Sequence, residues 1–341
     1  MNGIATDKRH YHEVDILYAL GTILAILGHS HPNDWSKFPG QWVEFIYFFH
    51  MPLFFTIAGF LLASSASIKR KGYIKWVGDK ALRLLTPYAV LSLLSLLPKY
   101  YLEHSGFTGL TPYYLLGAFF APRQNVWGHF WFLPVLFLMY AFFGFVHNSI
   151  TDVYTKWGGK LKCVLLIIAL VLHFIKPDVQ WLGISDICDF SVYFAAGYAG
   201  FELFDRKREN GHSLAIYAAM AAGLIAASLI IWKFVAANAY RDFIISLLMI
   251  ASCCAVSGAL RNKKTGALDY IAKYVFTFYI YSWPAQAVIE RICGRLEVNW
   301  AITTPLMFIV GMLCPMVIIF VYRKCTFLHC QFIDLILGMR R

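Results

Sequence analysis

Three histidines sit among apolar residues, where an unsatisfied imidazole is costly to desolvate. His29 lies in ILGHSH, His50 in IYFFHMPLFFTIAGF and His129 in GHFWFLP. A neutral imidazole keeps one nitrogen free to take a proton from a hydroxyl, and its N–H can polarise a carbonyl. Such groups suit proton transfer and the attack of an oxygen nucleophile on a carbonyl. Each histidine also has a purely structural reading. His29 can serve as a helix–helix hydrogen-bond partner, although Gly28, Ser30 and His31 around it leave room for polar contact. His50 precedes Met51-Pro52, and a proline frees a carbonyl in the preceding turn. His50 either donates to that carbonyl, kinks a helix around a cavity, or serves chemistry. His129 falls near the start of an apolar segment, where a histidine is cheaper to keep.

A second group is cationic. The stretch SIKRKGYIKWVGDKALRLLTP, residues 67–87, mixes Lys75, Lys80 and Arg83 with Tyr73, Ile74, Trp76, Val77 and Leu82. The pattern fits an amphipathic helix resting on anionic lipid. It fits a binding site for an anionic ligand equally well.

Composition dictates the elements that must position these residues. The 341-residue chain is 59% hydrophobic and 14% charged, against roughly 45–50% apolar and about 25% charged in soluble domains. The apolar residues fall in ten blocks close to the length of a bilayer-crossing helix. They run over residues 13–31, 44–66, 84–103, 127–147, 163–177, 188–204, 213–234, 242–260, 268–290 and 301–322. The expected fold class is all-α. A polytopic membrane helix bundle of about ten transmembrane helices fills a single domain, 1–341, with no soluble appended domain. Blocks 163–177 and 188–204 are short and read as tilted, broken or re-entrant.

The net charge of +11 is a matter of topology rather than of nucleic-acid binding. With the N-terminus inside and ten crossings, most Lys and Arg fall on inner segments. These include Lys8, Arg9, Lys69, Arg70, Lys71, Lys156, Lys160, Lys162, Arg206, Lys207, Arg208, Arg261, Arg323, Lys324, Arg340 and Arg341, whereas Lys37, Lys99 and Arg123 fall outside. Positive charge is retained on the cytoplasmic side, so both termini are expected there. The basic start is followed by a full-length span without a small-residue cleavage site, so no leader is expected to be removed. The eight cysteines show no zinc-type pairing and read as small apolar fillers. No metal is expected.

Within that topology, Asp15, Tyr18, Thr22, Ala25 and His29 recur at spacings of three and four and share one helical stripe. Tyr18 and His29 are eleven residues apart, about three turns or roughly 16 Å. His29 then lies in the outer third of the membrane. So do His50, His129 with Trp131, and the YIYSWPAQ run with Tyr281, Ser282 and Trp283. Ionisable groups at such depth usually face the bundle interior and mark a functional site.

ILGHSH, IYFFHMPLFFTIAGFLL, YIKWVGDKALRLLTPY, HFWFLPVLF and FTFYIYSWPAQ occur in this order and at these separations. The chain thereby resembles the acyltransferase 3 family of integral membrane acyltransferases over about residues 13–335, most closely in its fucose 4-O-acetylase-like branch. The resemblance implies a multi-pass protein of the bacterial inner (cytoplasmic) membrane. Such a protein moves an acyl group, usually acetyl from cytoplasmic acetyl-CoA as co-substrate, to a sugar hydroxyl of a surface polysaccharide. The family's first-helix histidine matches His29, and its histidine before Met-Pro matches His50. Its basic segment before a helix-three proline matches Lys75, Lys80 and Arg83 ahead of Pro87. Tyr18 stands where the family often has a basic residue, and the HFWFLPVLF segment has no acidic residue where many members carry one.

On this reading His29 is the general base, and His50 or His129 orients it or polarises the thioester. Lys75, Lys80 and Arg83 hold the coenzyme A phosphates, with the pantetheine arm along the Tyr18–His29 stripe. Trp131, Tyr281, Ser282 and Trp283 face the acceptor. The expected partners are the coenzyme A donor, a carbohydrate acceptor and membrane lipid, not nucleic acid. The oligomeric state is not legible. A transporter or flippase for a polysaccharide precursor or small molecule is the competing reading, since it too uses polar intramembrane groups and Pro-interrupted helices.

Overall fold

A computed structural model describes residues 10–35, 38–104, 111–153, 158–207 and 212–339. Lys8, Arg9, Lys37, Lys156, Arg208, Arg340 and Arg341, used above for topology, lie outside the described residues. Among the described residues every regular element is helical. In chain order the α-helices are α1 (His12–Gly28), α2 (Gln41–Tyr47), α3 (His50–Ala63), α4 (Ser67–Lys71), α5 (Tyr73–His104), α6 (Pro112–Phe120), α7 (Phe132–Val153) and α8 (Gly158–Ile175). They continue as α9 (Ile184–Lys207), α10 (Leu214–Phe234), α11 (Ala239–Leu260), α12 (Gly266–Lys273), α13 (Val275–Arg295), α14 (Trp300–Lys324) and α15 (Gln331–Leu337).

Among the described residues six segments are long and apolar enough to cross a membrane: Gln41–Ala63, Tyr73–Leu97, Gly128–Ser149, Leu214–Phe234, Ala239–Leu260 and Trp300–Lys324. The chain is thus an integral membrane protein. The other expected crossings coincide with α1, α8, α9, α12 and α13. At 17 residues α1 is short. Polar side chains interrupt α9 at Asp186 and Asp189, and α13 at Ser282, Gln286 and Glu290. Block 268–290 is two helices, because the chain breaks at Tyr274 between α12 and α13.

Glycines let α3 and α9 come together at the centre. A Cβ on Gly59 would sit 2.0 Å from the Phe194 carbonyl oxygen, and one on Gly197 would sit 1.9 Å from that of Thr56. Without side chains at these points the two backbones approach directly, as small residues allow in membrane helix pairs. Around this seam, Leu53, Phe55, Ile57 and Ala58 of α3 and Phe194, Ala195 and Tyr198 of α9 are fully enclosed.

Pro52 shapes the start of α3. Having no N–H, it leaves the Phe48 carbonyl without its helical donor. The Ser246 hydroxyl of α11 donates to that carbonyl. The helix is interrupted at Phe48 and Phe49, between α2 and α3. At the far end of the chain, α15 folds back beside α13, with Thr277 Oγ1 donating to the Leu337 carbonyl at 2.8 Å. Gly338 at φ +73° ends this helix in the left-handed region.

Candidate active site

One cavity of about 620 Å³ runs between α1, α3, α5, α7 and α13. The stripe of Tyr18, Thr22, Ala25 and His29 lines it along α1, whereas Asp15 turns away to pair with His10 at 2.7 Å. Along α3 the lining extends from His50 to Leu62 and on to Ser65 and Ser67, a distance of roughly 20 Å at helical rise. The cavity therefore has a histidine end and a basic end.

The histidine end is built on helix termini. His29 is the residue that stops α1, and its backbone N–H still donates to Ala25 at 3.1 Å. The last carbonyls of a helix have no intrahelical donors, and here side chains from two other helices supply them. Gln286 Nε2 of α13 donates to the Ile26 carbonyl at 2.8 Å and to Ser30 Oγ at 2.7 Å. The Tyr47 hydroxyl of α2 donates to the Gly28 carbonyl at 2.9 Å. The His29 ring lies 5.7 Å from the Tyr47 ring and 6.3 Å, edge-on, from that of His50.

His50 is 5% exposed, and its Nδ1–H donates to the Ile46 carbonyl at 3.0 Å. The carbonyl freed by Pro52 is that of Phe48, already met by Ser246, so the expected donation from His50 goes to Ile46 instead. With Nδ1 committed, neutral His50 keeps its lone pair on Nε2. His129 lies in a single 3-10 turn, Gly128–Trp131, ahead of α7. Its ring packs 5.0 Å from Trp283 and 5.5 Å from Tyr279, whose hydroxyl donates to the His129 carbonyl. Neither ring nitrogen makes a protein hydrogen bond of acceptable geometry, although both are buried and the Ile280 carbonyl is near. A buried polar ring in that condition is suited to a polar ligand.

Trp131, Ser282 and Trp283 also line the histidine end. Tyr281 does not. One position along the helix from Ser282, it projects to a different side and donates its hydroxyl to the Ile336 carbonyl of α15 at 3.0 Å.

At the basic end, Lys80 and Arg83 of α5 line the cavity. Lys80 Nζ lies 3.8 Å from the centre of the Tyr140 ring and 5.3 Å from that of Trp76, and the Arg83 guanidinium is 5.6 Å from the Phe276 ring. Aromatic faces help to hold these cations in place. Lys75 is exposed and outside the lining. Five residues before Lys80, it falls on a different face of α5.

Three contributors were not singled out from the sequence. Tyr47 lies three residues before His50, a spacing that places both on one helical face. Gln286 closes the YIYSWPAQ run at helical spacing from Ser282. Arg123 appears in the sequence only as an outer charge. In the structure it lines the cavity, binds Asp186 through Nε and Nη2 at 2.6–3.1 Å, and lies 3.9 Å above the Trp131 ring. That pairing joins residues 63 positions apart, so no local pattern announces it.

A family model described as an acyltransferase domain, acyltransferase 3, matches residues 11–323. The chain belongs to this family and is a membrane acyltransferase. It is also similar to two proteins named nodulation protein NolL. For that of Sinorhizobium fredii (strain NBRC 101917 / NGR234) the identity is 38% over 72 residues, 21% of this chain and 19% of the relative. For that of Mesorhizobium japonicum (strain LMG 29417 / CECT 9101 / MAFF 303099) it is 52% over 42 residues, 12% of this chain and 11% of the relative. The chain thus aligns with less than a fifth of either relative's length. No solved structure matches the chain significantly.

Proposed function

We propose that this membrane acyltransferase moves an acetyl group from cytoplasmic acetyl-CoA to a sugar hydroxyl of a cell-surface polysaccharide or its lipid-linked precursor. It would do so from the bacterial inner membrane as a single domain of ten crossings with both termini cytoplasmic. The observation that carries the reading is the continuity of one cavity from Lys80 and Arg83 to His29 and His50. A donor with phosphates at one end and a thioester at the other needs such a passage. Phosphate oxygens accept charge-assisted hydrogen bonds from ammonium and guanidinium groups. The largely apolar walls between, including Phe54, Ala58, Leu61 and Leu136, suit the pantetheine arm.

In the step we propose, His29 takes the proton of the acceptor hydroxyl as its oxygen attacks the thioester carbonyl carbon. The tetrahedral intermediate collapses with cleavage of the C–S bond, and the proton passes from His29 to the departing coenzyme A thiolate. His50 orients the hydroxyl through its Nε2 lone pair, and His129 orients it or donates a ring N–H to the oxyanion. Trp131, Ser282 and Trp283 receive the sugar, whose C–H face packs on an indole while its hydroxyls meet polar groups. Positioning and general-base catalysis together account for the rate.

The test uses the full chain in lipid vesicles with radiolabelled acetyl-CoA and polysaccharide of the source cell. The expected result is label in base-labile ester on the carbohydrate, absent with His29→Ala. Movement of carbohydrate across the vesicle without thioester cleavage would overturn the reading in favour of a transporter or flippase.

A further inference from the structure

We propose that Tyr47 is a positioning residue that fixes the tautomer of His29 with the proton on Nδ1, leaving Nε2 as the nitrogen that takes the acceptor's proton. The proposal deepens the assignment of His29 as base and rests on it.

One hydroxyl hydrogen must serve three contacts. Tyr47 Oη lies 2.9 Å from the Gly28 carbonyl, 3.3 Å from His29 Nδ1 and 3.3 Å from His31 Nε2. A phenol hydroxyl has one hydrogen to give and lone pairs to receive with. The Gly28 carbonyl only accepts, and it ends a helix where no backbone donor reaches it. His31 Nδ1 lies 3.1 Å from the Pro32 carbonyl, another acceptor, so neutral His31 carries its proton on Nδ1 and presents Nε2 as an acceptor too. Two acceptor-only groups therefore compete for the Tyr47 hydrogen. His29 Nδ1 satisfies the remaining contact only by donating its own hydrogen to Tyr47 Oη. Neutral His29 then holds its lone pair on Nε2. Tyr47 and His29 both line the cavity.

The local packing is built for this contact. A Cβ on Gly28 would lie 3.0 Å from a Tyr47 ring carbon and 3.2 Å from Ile46 Cγ2. Glycine before His29 thus gives the phenol ring its close seat against the end of α1. Gln286 braces the same turn from the other side through Ile26 and Ser30. The GHS run consequently reads as a seat for a tyrosine, a base, and a hydroxyl that receives the brace.

The experiment compares wild-type protein, Tyr47→Phe, Gly28→Ala and His29→Ala, each full-length in vesicles. It reads turnover with acetyl-CoA and the tautomer of His29 by 15N-histidine solid-state NMR. The His29 signals are assigned by their absence from His29→Ala. The proposal expects Nδ1-protonated His29 in the wild type and a mixed population in Tyr47→Phe. Turnover in Tyr47→Phe falls roughly 10- to 100-fold, with KM for acetyl-CoA within about twofold. Gly28→Ala keeps the hydroxyl but shifts it, and moves both readouts in the same direction by less. Nε2-protonated His29 in the wild type overturns the proposal whether or not the variants fold. Wild-type turnover in Tyr47→Phe beside a dead His29→Ala overturns it as well, while leaving the base assignment standing. Near-normal turnover of His29→Ala sinks that assignment instead, and the NMR tautomer still judges the contact.

Discussion

The two ends of the cavity handle polarity by opposite means. At the histidine end uncharged polar side chains are tethered to backbone carbonyls, and Arg123 is paired with the Asp186 carboxylate. His50 is bound to the Ile46 carbonyl, Tyr47 to that of Gly28, Gln286 to that of Ile26, and each acts where a helix starts or stops. At the basic end Lys80 and Arg83 reach from the first third of a long helix and lean on aromatic faces. Interrupted helices expose fixed backbone dipoles and hold side chains in narrow geometry, which suits bond-making. Long cations on an uninterrupted helix offer charge with latitude, which suits anchoring a flexible anion. The two ends should therefore fail differently: damage to the first lowers kcat, and damage to the second raises KM for the donor.

The largest effect is expected at His29. His29→Ala should lower kcat by about 100-fold or more, roughly 2.7 kcal/mol, with little change in coenzyme A affinity measured by calorimetry. Loss of donor affinity in place of turnover would erase the distinction between the ends.

The basic end should give a smaller and opposite signature. Removing charge with Lys80→Gln or Arg83→Gln should raise KM for acetyl-CoA about tenfold, near 1.4 kcal/mol, and leave kcat within about twofold. Lys75→Gln supplies the control, because that side chain lies outside the cavity lining. Equal effects from Lys75 and Lys80 would assign the whole segment to lipid contact. A narrower test separates donor from acceptor. Trp283→Leu, beside His129, should raise KM for the acceptor by a few-fold, on the order of 1 kcal/mol, without moving that for acetyl-CoA.

The same contrast shows what the sequence could disclose. The helical class followed from apolar blocks and helical spacing, and the Tyr18–His29 stripe is continuous in the structure because periodicity along one helix is a local property. Lys80 and Arg83 share a face at a spacing of three, whereas Lys75 is near them only in sequence and lies outside the lining. Tyr281 shares one short run with Ser282 and Trp283, yet consecutive helical residues point about 100° apart. Its hydroxyl partner is in α15, 55 positions away. The brace from Gln286, the Arg123–Asp186 pair and the Ser246 donor to Phe48 all depend on tertiary proximity. Even the ten-block pattern is blunted where polar residues enter: α9 and α13 carry the polar residues that keep them from the six plainly apolar segments found among the described residues.

The smallest expected effect comes from α1 itself, which carries a histidine of the opposite kind at its other terminus. His12 Nδ1 lies 2.8 Å from the Arg261 carbonyl, and Nε2 lies 3.0 Å from Asp269 Oδ1 and 2.9 Å from Thr265 Oγ1. A carbonyl and a carboxylate both accept, so both ring nitrogens are best served by carrying hydrogens. The Arg261 carbonyl, followed by the Asp269 carboxylate, accordingly raises the His12 pKa above its ordinary 6.5 despite the opposing effect of burial. A raised folded-state pKa means that the protonated ring stabilises the fold fully below about pH 6.5. That contribution is lost as pH climbs through the folded-state value. His12→Gln should therefore lower Tm more at pH 6 than at pH 8.5, with the difference on the order of 1 °C for a partly exposed pair. High salt should shrink it further. A deficit that grows with pH would mean that His12 is held neutral, and that both ends of α1 treat their histidines alike.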